Sequence, residues 1–165
     1  MPAQEQIVIM QEGSRQLTPA GVGFFQQRKV FSGAAKILGA GDSGALCVWS
    51  TAAGYLYTLP AITADTVGIY FDFYVAIDIT SVGAKVITAT GDFIYGSFIQ
   101  SPDSTTLLAA WNANGTTIVS WNGNGTTTGG YAGDFFRLTA WDATRWLIQG
   151  LGLATGTEAT PFATS

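Results

Sequence analysis

The sequence predicts an all-β protein, an antiparallel β-sandwich or jelly-roll-like barrel with an extended N-terminal arm. Three observations lead there. Residues 67–78, VGIYFDFYVAID, place Ile69, Phe71, Phe73, Val75 and Ile77 on one face and Tyr70, Asp72, Tyr74, Ala76 and Asp78 on the other. Alternation with one apolar face marks a strand buried on one side. From about residue 44 the chain is punctuated at short intervals by Gly, Pro, Asn and Asp, the spacing of short strands in a sandwich or barrel. No amphipathic helix of about ten residues or more is visible. The division that follows is an arm over residues 1–40 and a single β domain over 41–165, with its last strand ending near residue 150 and a short tail after it.

In chain order, Ile7-Val8-Ile9-Met10 reads as a short strand within the arm. The rest of the arm has neither helical nor strand periodicity, yet it holds Phe24, Phe25 and Phe31. Such rings require burial. A segment without its own core has to bury them elsewhere, so the arm is expected to run out of the body onto neighbouring chains. Phe24, Phe25 and Phe31 are its expected anchors, with Arg28 and Lys29 meeting acidic groups. Strands of the body are expected at 45–51, 55–59, 67–78, 85–90, 93–99, 105–111, 116–121, 135–141 and 145–149.

Within the body lies a repeat, WNANGTTIVSWNGNGTTTGG, residues 111–130. Asn-Gly between alternating runs favours a tight turn, because type I′ geometry needs positive φ at both central residues. The repeat therefore predicts two successive bends of a meander, with Asn114, Gly115, Asn124 and Gly125 in exposed loops. Trp111 and Trp121 are expected in the core.

Charged residues are 11% of the chain, hydrophobic residues 47% and aromatics 13%. An ordinary soluble domain is about 25% charged. Such a chain folds, and its sparse charge suits a large subunit interface. Net charge is −4, which argues against nucleic acid as a partner. Through residue 36 the balance is +2, and beyond it −6, a basic arm on an acidic body. The single cysteine, Cys47, lies in an apolar run and is expected to be a buried, inert thiol. The polar opening, Met1 to Gln6, and the absence of a long apolar stretch lead us to expect a protein made in the cytoplasm, without a leader and outside membranes.

Gly41-Asp42-Ser43-Gly44 matches the surroundings of a trypsin-like nucleophile, but the chain has no histidine to take the hydroxyl proton. We read it as the turn that opens the first strand of the body. One Cys and no His exclude the usual zinc sites, and the acids are too scattered for a calcium loop. Asp134 and Asp142 flank a strand as a glycosidase pair could, but acids at strand ends are ordinarily turn formers. Asn114 and Asn124 satisfy the glycosylation sequon and are more simply turns. No catalytic residue, metal ligand or cofactor is expected, and the chain is not expected to be an enzyme.

From Ala40 onward a further pattern emerges. A Gly-Asp-Ser-Gly turn and a strand lead to YTLPA at 57–61. The aromatic strand VGIYFDFYV at 67–75 follows, then GDFIYG at 91–96 and GDFFRLTAWDATRWLIQG at 133–150. This pattern, over about three quarters of the chain, resembles the capsid decoration or cement proteins of tailed bacteriophages. The resemblance implies a β-rich homotrimer on the capsid exterior, seated where subunits meet and stabilising contacts between major capsid protein subunits. Its implied partners are the major capsid protein and itself. Its implied place is the virion, after assembly in the host cytoplasm. The Asn-Gly-Thr repeat departs from the family pattern. It supports the alternative of a carbohydrate- or receptor-binding module of a phage tail fibre, with a host surface glycan as partner.

Overall fold

The computed structural model describes residues 16–18, 21–25, 28–81, 83–102 and 108–165, the first two segments through their backbone alone. Strands β1 (Gln16–Thr18) and β2 (Gly21–Phe25) pair antiparallel with each other. A seven-stranded sheet holds β3 (Val30–Ser32), β5 (Leu46–Trp49), β7 (Tyr70–Val75), β9 (Phe93–Pro102), β10 (Ala109–Asn114), β12 (Phe135–Ala140) and β13 (Arg145–Ala154). Its order is β10-β9-β13-β12-β7-β5-β3. A five-stranded sheet holds β4 (Lys36–Ile37), β6 (Leu56–Thr58), β8 (Ala84–Ile87), β11 (Ser120–Gly123) and β14 (Phe162–Ala163), in the order β14-β11-β8-β6-β4. The two sheets face each other as a β-sandwich. Among the described residues the helical segments are two 3-10 turns, Ala40–Asp42 and Ala64–Thr66, and no helix is long and apolar enough to cross a membrane.

The sheets are mixed, where the sequence suggested antiparallel pairing throughout. From β3 to β9 each successive strand crosses to the opposite sheet. Neighbours within a sheet are then two elements apart and point the same way: β3, β5 and β7 are mutually parallel, as are β4, β6 and β8. The crossings stack on one another. Gly54, in the β5–β6 crossing at φ +70°, lies against the β7–β8 crossing so closely that a Cβ there would stand 2.3 Å from the Gly83 carbonyl oxygen. Only glycine fits that approach and that dihedral. Antiparallel pairing enters with β10 on β9, β12 on β7 and β13, and β11 on β8 and β14.

Residues 28–40 are integrated with the body. Strand β3 pairs with β5 at one sheet edge and β4 with β6 at the other, and Leu38 is buried. The closing residues likewise return to the five-stranded sheet: β14 pairs with β11, and Phe162 is buried. Ile7–Met10 and the side chains of Phe24 and Phe25 lie outside the described residues.

Aromatic rings fill the space between the sheets. Trp49, Phe73, Phe98 and Phe136 project from the seven-stranded sheet, Tyr57 and Trp121 from the other, and all are buried. Phe136 stacks on Phe73 at 5.0 Å between centroids and meets Trp121 at 4.5 Å. Truncating a ring at such a point removes transfer energy and opens a cavity. Phe136→Ala is therefore expected to lower unfolding free energy by about 3–5 kcal/mol in a urea titration. A loss below about 1 kcal/mol would mean that this ring is not packed as described.

Candidate interaction surface

The outward side chains of the seven-stranded sheet fall into rows set by strand register. One row runs Ser32, Val48, Tyr74, Phe135, Leu151, Ile99, Ala110 across all seven strands. After the edge serine it is apolar or aromatic throughout. Leu151 is 63% exposed and Phe135 42%. Eleven large hydrophobic side chains are exposed among the described residues, and Val30, Tyr95, Phe135, Leu151 and Leu153 lie within strands of this one sheet. Leu108 and Trp141 sit one residue beyond its strand ends, also exposed. The five-stranded sheet contributes only Ile37 and Leu56. The apolar surface is thus concentrated on one face, which is how an interaction surface differs from scattered exposed residues.

The next row, Val30, Leu46, Asp72, Arg137, Gln149, Ser97, Asn112, is polar from Asp72 onward. At its centre the Asp72 side chain is buried although it points outward. Arg137 Nε and Nη2 donate to its two oxygens at 2.6 and 2.8 Å, and Arg28 covers the second oxygen from the other side. Arg137 also lies 4.2 Å over the Tyr70 ring. Burial pushes the Asp72 carboxyl up, but the two guanidiniums outweigh it and hold the group below the usual carboxylate value. The charges on this face are consumed by one another.

The expected contact residues behave differently from one another. Arg28 and Lys29 do meet acidic groups, in their own chain: Arg28 meets Asp72, and Lys29 Nζ lies 3.1 Å from Asp42. Arg28 also donates to the Gly44 carbonyl at 2.7 Å. Phe31 is half-buried against the core, under Lys36 at 4.2 Å. These three fasten the entering chain to the body.

The two Asn-Gly-Thr-Thr segments lie at the two ends of β11. Neither closes a hairpin as expected, because β10 and β12 belong to the other sheet and each segment carries the chain between sheets. Asn114 Oδ1 accepts from the amides of Thr116 and Thr117 at 2.9 and 3.0 Å, and Asn124 Oδ1 from those of Thr126 and Thr128 at 2.9 and 3.1 Å. Both asparagines are exposed, but Gly115 is buried and Gly125 half-buried. The Gly115 amide donates to Ile94, and a Cβ on Gly125 would fall 1.6 Å from the Ile79 carbonyl oxygen. The glycines are therefore packing positions rather than loop tips.

The acids and hydroxyls weighed as catalytic groups hold turns. Ser43 Oγ accepts from the Tyr70 amide at 3.2 Å, and Asp42 from the Gly39 amide at 3.1 Å. Asp134 is buried and accepts from Gly130, Tyr131 and Leu153 amides, and burial raises its carboxyl. Asp142 pairs with Arg145. Burial pushes the Cys47 thiol up to about 12. Among the described residues no three His, Cys, Asp or Glu side chains gather as metal ligands would.

Phe135, Leu151 and Leu153 were not singled out in the sequence, although a signal was present. RWLIQGLGLA, residues 145–154, has apolar residues at both parities, the mark of a strand covered on both faces.

A depressed carboxyl stabilises the fold above its unfolded pKa and loses that contribution as pH falls through its folded value. Asp72→Asn should therefore cost about 1 kcal/mol at neutral pH, a modest amount because both guanidiniums stay part-hydrated. The gap in melting temperature from wild type should close as pH falls below about 4. An equal gap at about pH 7 and about pH 2 would show that carboxylate charge contributes nothing.

Comparisons of the chain with protein-family models, with curated proteins and with solved structures give no match.

Proposed function

We propose that the protein is a structural component of a bacteriophage virion, a homotrimer that binds the outside of the capsid and stabilises contacts between major capsid protein subunits. One observation carries the proposal: the broad apolar and aromatic face of the seven-stranded sheet, on which the charges are already paired. A face of that kind serves permanent association rather than substrate turnover. Supporting it, the groups that could have done chemistry are engaged in turns, where they stiffen the sandwich. The 11% charge leaves much of the surface for subunit contacts. The resemblance to capsid cement proteins supplies the virion, the trimer and the major capsid protein as partner.

A second reading, a glycan- or receptor-binding module of a tail fibre, is favoured by one corner of the same face. There Trp141 and Tyr95 are exposed, with the Arg145–Asp142 pair beside them and Arg145 over the Tyr95 ring at 5.9 Å. Aromatic platforms next to hydrogen-bonding groups suit sugars.

Co-sedimentation separates the two. Purified protein mixed with expanded capsids is expected to pellet with them at a fixed ratio, and to pass unretained over immobilised host glycans. Retention on glycans that Trp141→Ala abolishes, with no capsid binding, would replace the first reading by the second. In the capsid assay Ser43→Ala is expected to match wild type, since its hydroxyl accepts one backbone hydrogen bond at the surface.

A further inference from the structure

The outer face of the seven-stranded sheet is not flat. Between β9 and β13 runs a shallow trough of about 410 Å³, walled by Ser97 and Ile99 on one side and by Leu147, Gln149 and Leu151 on the other. Beside it Phe135, Leu151 and Leu153 stand up as a ridge, all exposed and outward-facing on adjacent strands. Ridge and trough are neighbours on one surface and share Leu151.

We propose that this face binds a second copy of the chain, the ridge of one copy seating in the trough of the next. The inference rests on the reading of this face as an interface and names its occupant; it does not depend on the capsid.

Charge selects the occupant. The ionised groups within the sheet's outward rows are Asp72 and Arg137, bonded to each other and to Arg28. At the corner, Arg145 and Asp142 likewise pair. Among the described residues this face holds no free charge for a nucleic acid or a highly charged protein to read. A second copy finds no repulsion, because each copy brings charges already neutralised. Area is sufficient as well. Seven strands at a spacing of about 4.8 Å, each showing about six residues at roughly 3.3 Å, give a face of about 670 Å². That is about the contribution of each partner to the smallest stable interfaces. Shape agrees with both: ridge and trough lie side by side and share Leu151, so the ridge of one copy seats in the trough of another across a twofold axis or around a closed ring.

The test uses the full chain in light scattering and sedimentation velocity. Leu151→Arg sets a charge at the ridge where 63% of the side chain is already exposed, outside the core. Wild type is expected to be an oligomer. Leu151→Arg is expected to raise the half-dissociation concentration by about a hundredfold or more, as for a buried hot spot, with unchanged circular dichroism. Ile37→Arg, on the opposite sheet and 78% exposed, should leave the oligomer intact. Should Leu151→Arg unfold, Leu153→Arg is judged by the same criteria.

A monomeric wild type overturns the proposal, whether the face is covered by residues 1–27 of the same chain or reserved for a capsid. So does a Leu151→Arg protein with wild-type association. An oligomer that Leu151→Arg dissociates but that never pellets with capsids upholds the interface and refutes the virion role.

Discussion

The rings between the sheets touch at centroid distances of 4.5 to 5.9 Å along a path from Tyr57 through Trp49, Trp121 and Phe136 to Phe98. Side chains of that size determine how far apart two sheets stand, and everything facing them must make room. The room comes from glycine within strands. A Cβ on Gly150 would fall 2.2 Å from the Phe136 Cβ, and one on Gly152 2.6 Å from the Phe98 ring. Strand β13 passes through both glycines without ending, because the neighbouring rings occupy the volume their side chains would have used. Aromatic packing thus dictates sheet spacing and the placement of the inward glycines of β13.

Around this slab the polar groups have been placed where they fasten connections. Asp92 accepts from the Ile62 amide at 2.9 Å, and Asp134 from three backbone amides. Burial raises both carboxyls, so each holds its loop against a desolvation cost. Asp72 differs because its partners are guanidiniums, and it alone of the three is held low. It joins the entering segment at Arg28 to the β12 strand at Arg137 and ties the first body strands to the middle of the sheet. One carboxylate serves both fold and surface: it anchors the edge of the sheet and neutralises the face in front of it.

The consequence is an asymmetric sandwich. Its seven-stranded face is apolar and electrically quiet, whereas the five-stranded face carries two exposed hydrophobics of any size. A chain with few charges has few means of keeping a sheet face solvated. Here the scarcity is concentrated where it suits association, and the capsid role proposed above makes use of that concentration.

The sequence by itself determined the β class and the inward face of the central aromatic strand, though Ile77, assigned to that face, is exposed and Asp72, assigned to the other, is buried. Alternation in 67–78 placed Phe71, Phe73 and Val75 inward, and they are buried. That information is local, since a strand's two faces are written in its own residues. It also determined that Trp121 would enter the core and that Cys47 would be buried. Strand direction was decided only by tertiary structure, because period two is the same for parallel and antiparallel neighbours. Asn114-Gly115 specified a bend, but its residues do not encode whether the chain returns to its own sheet or, as here, crosses to the other with the Gly115 amide bonded to the Ile94 carbonyl. Residues 30–32 and 36–37 became edge strands through partners in β5 and β6, pairings too short to show any period. The exposed row through Phe135 and Leu151 exists only once seven strands stand in register, for each contributes a single residue to it.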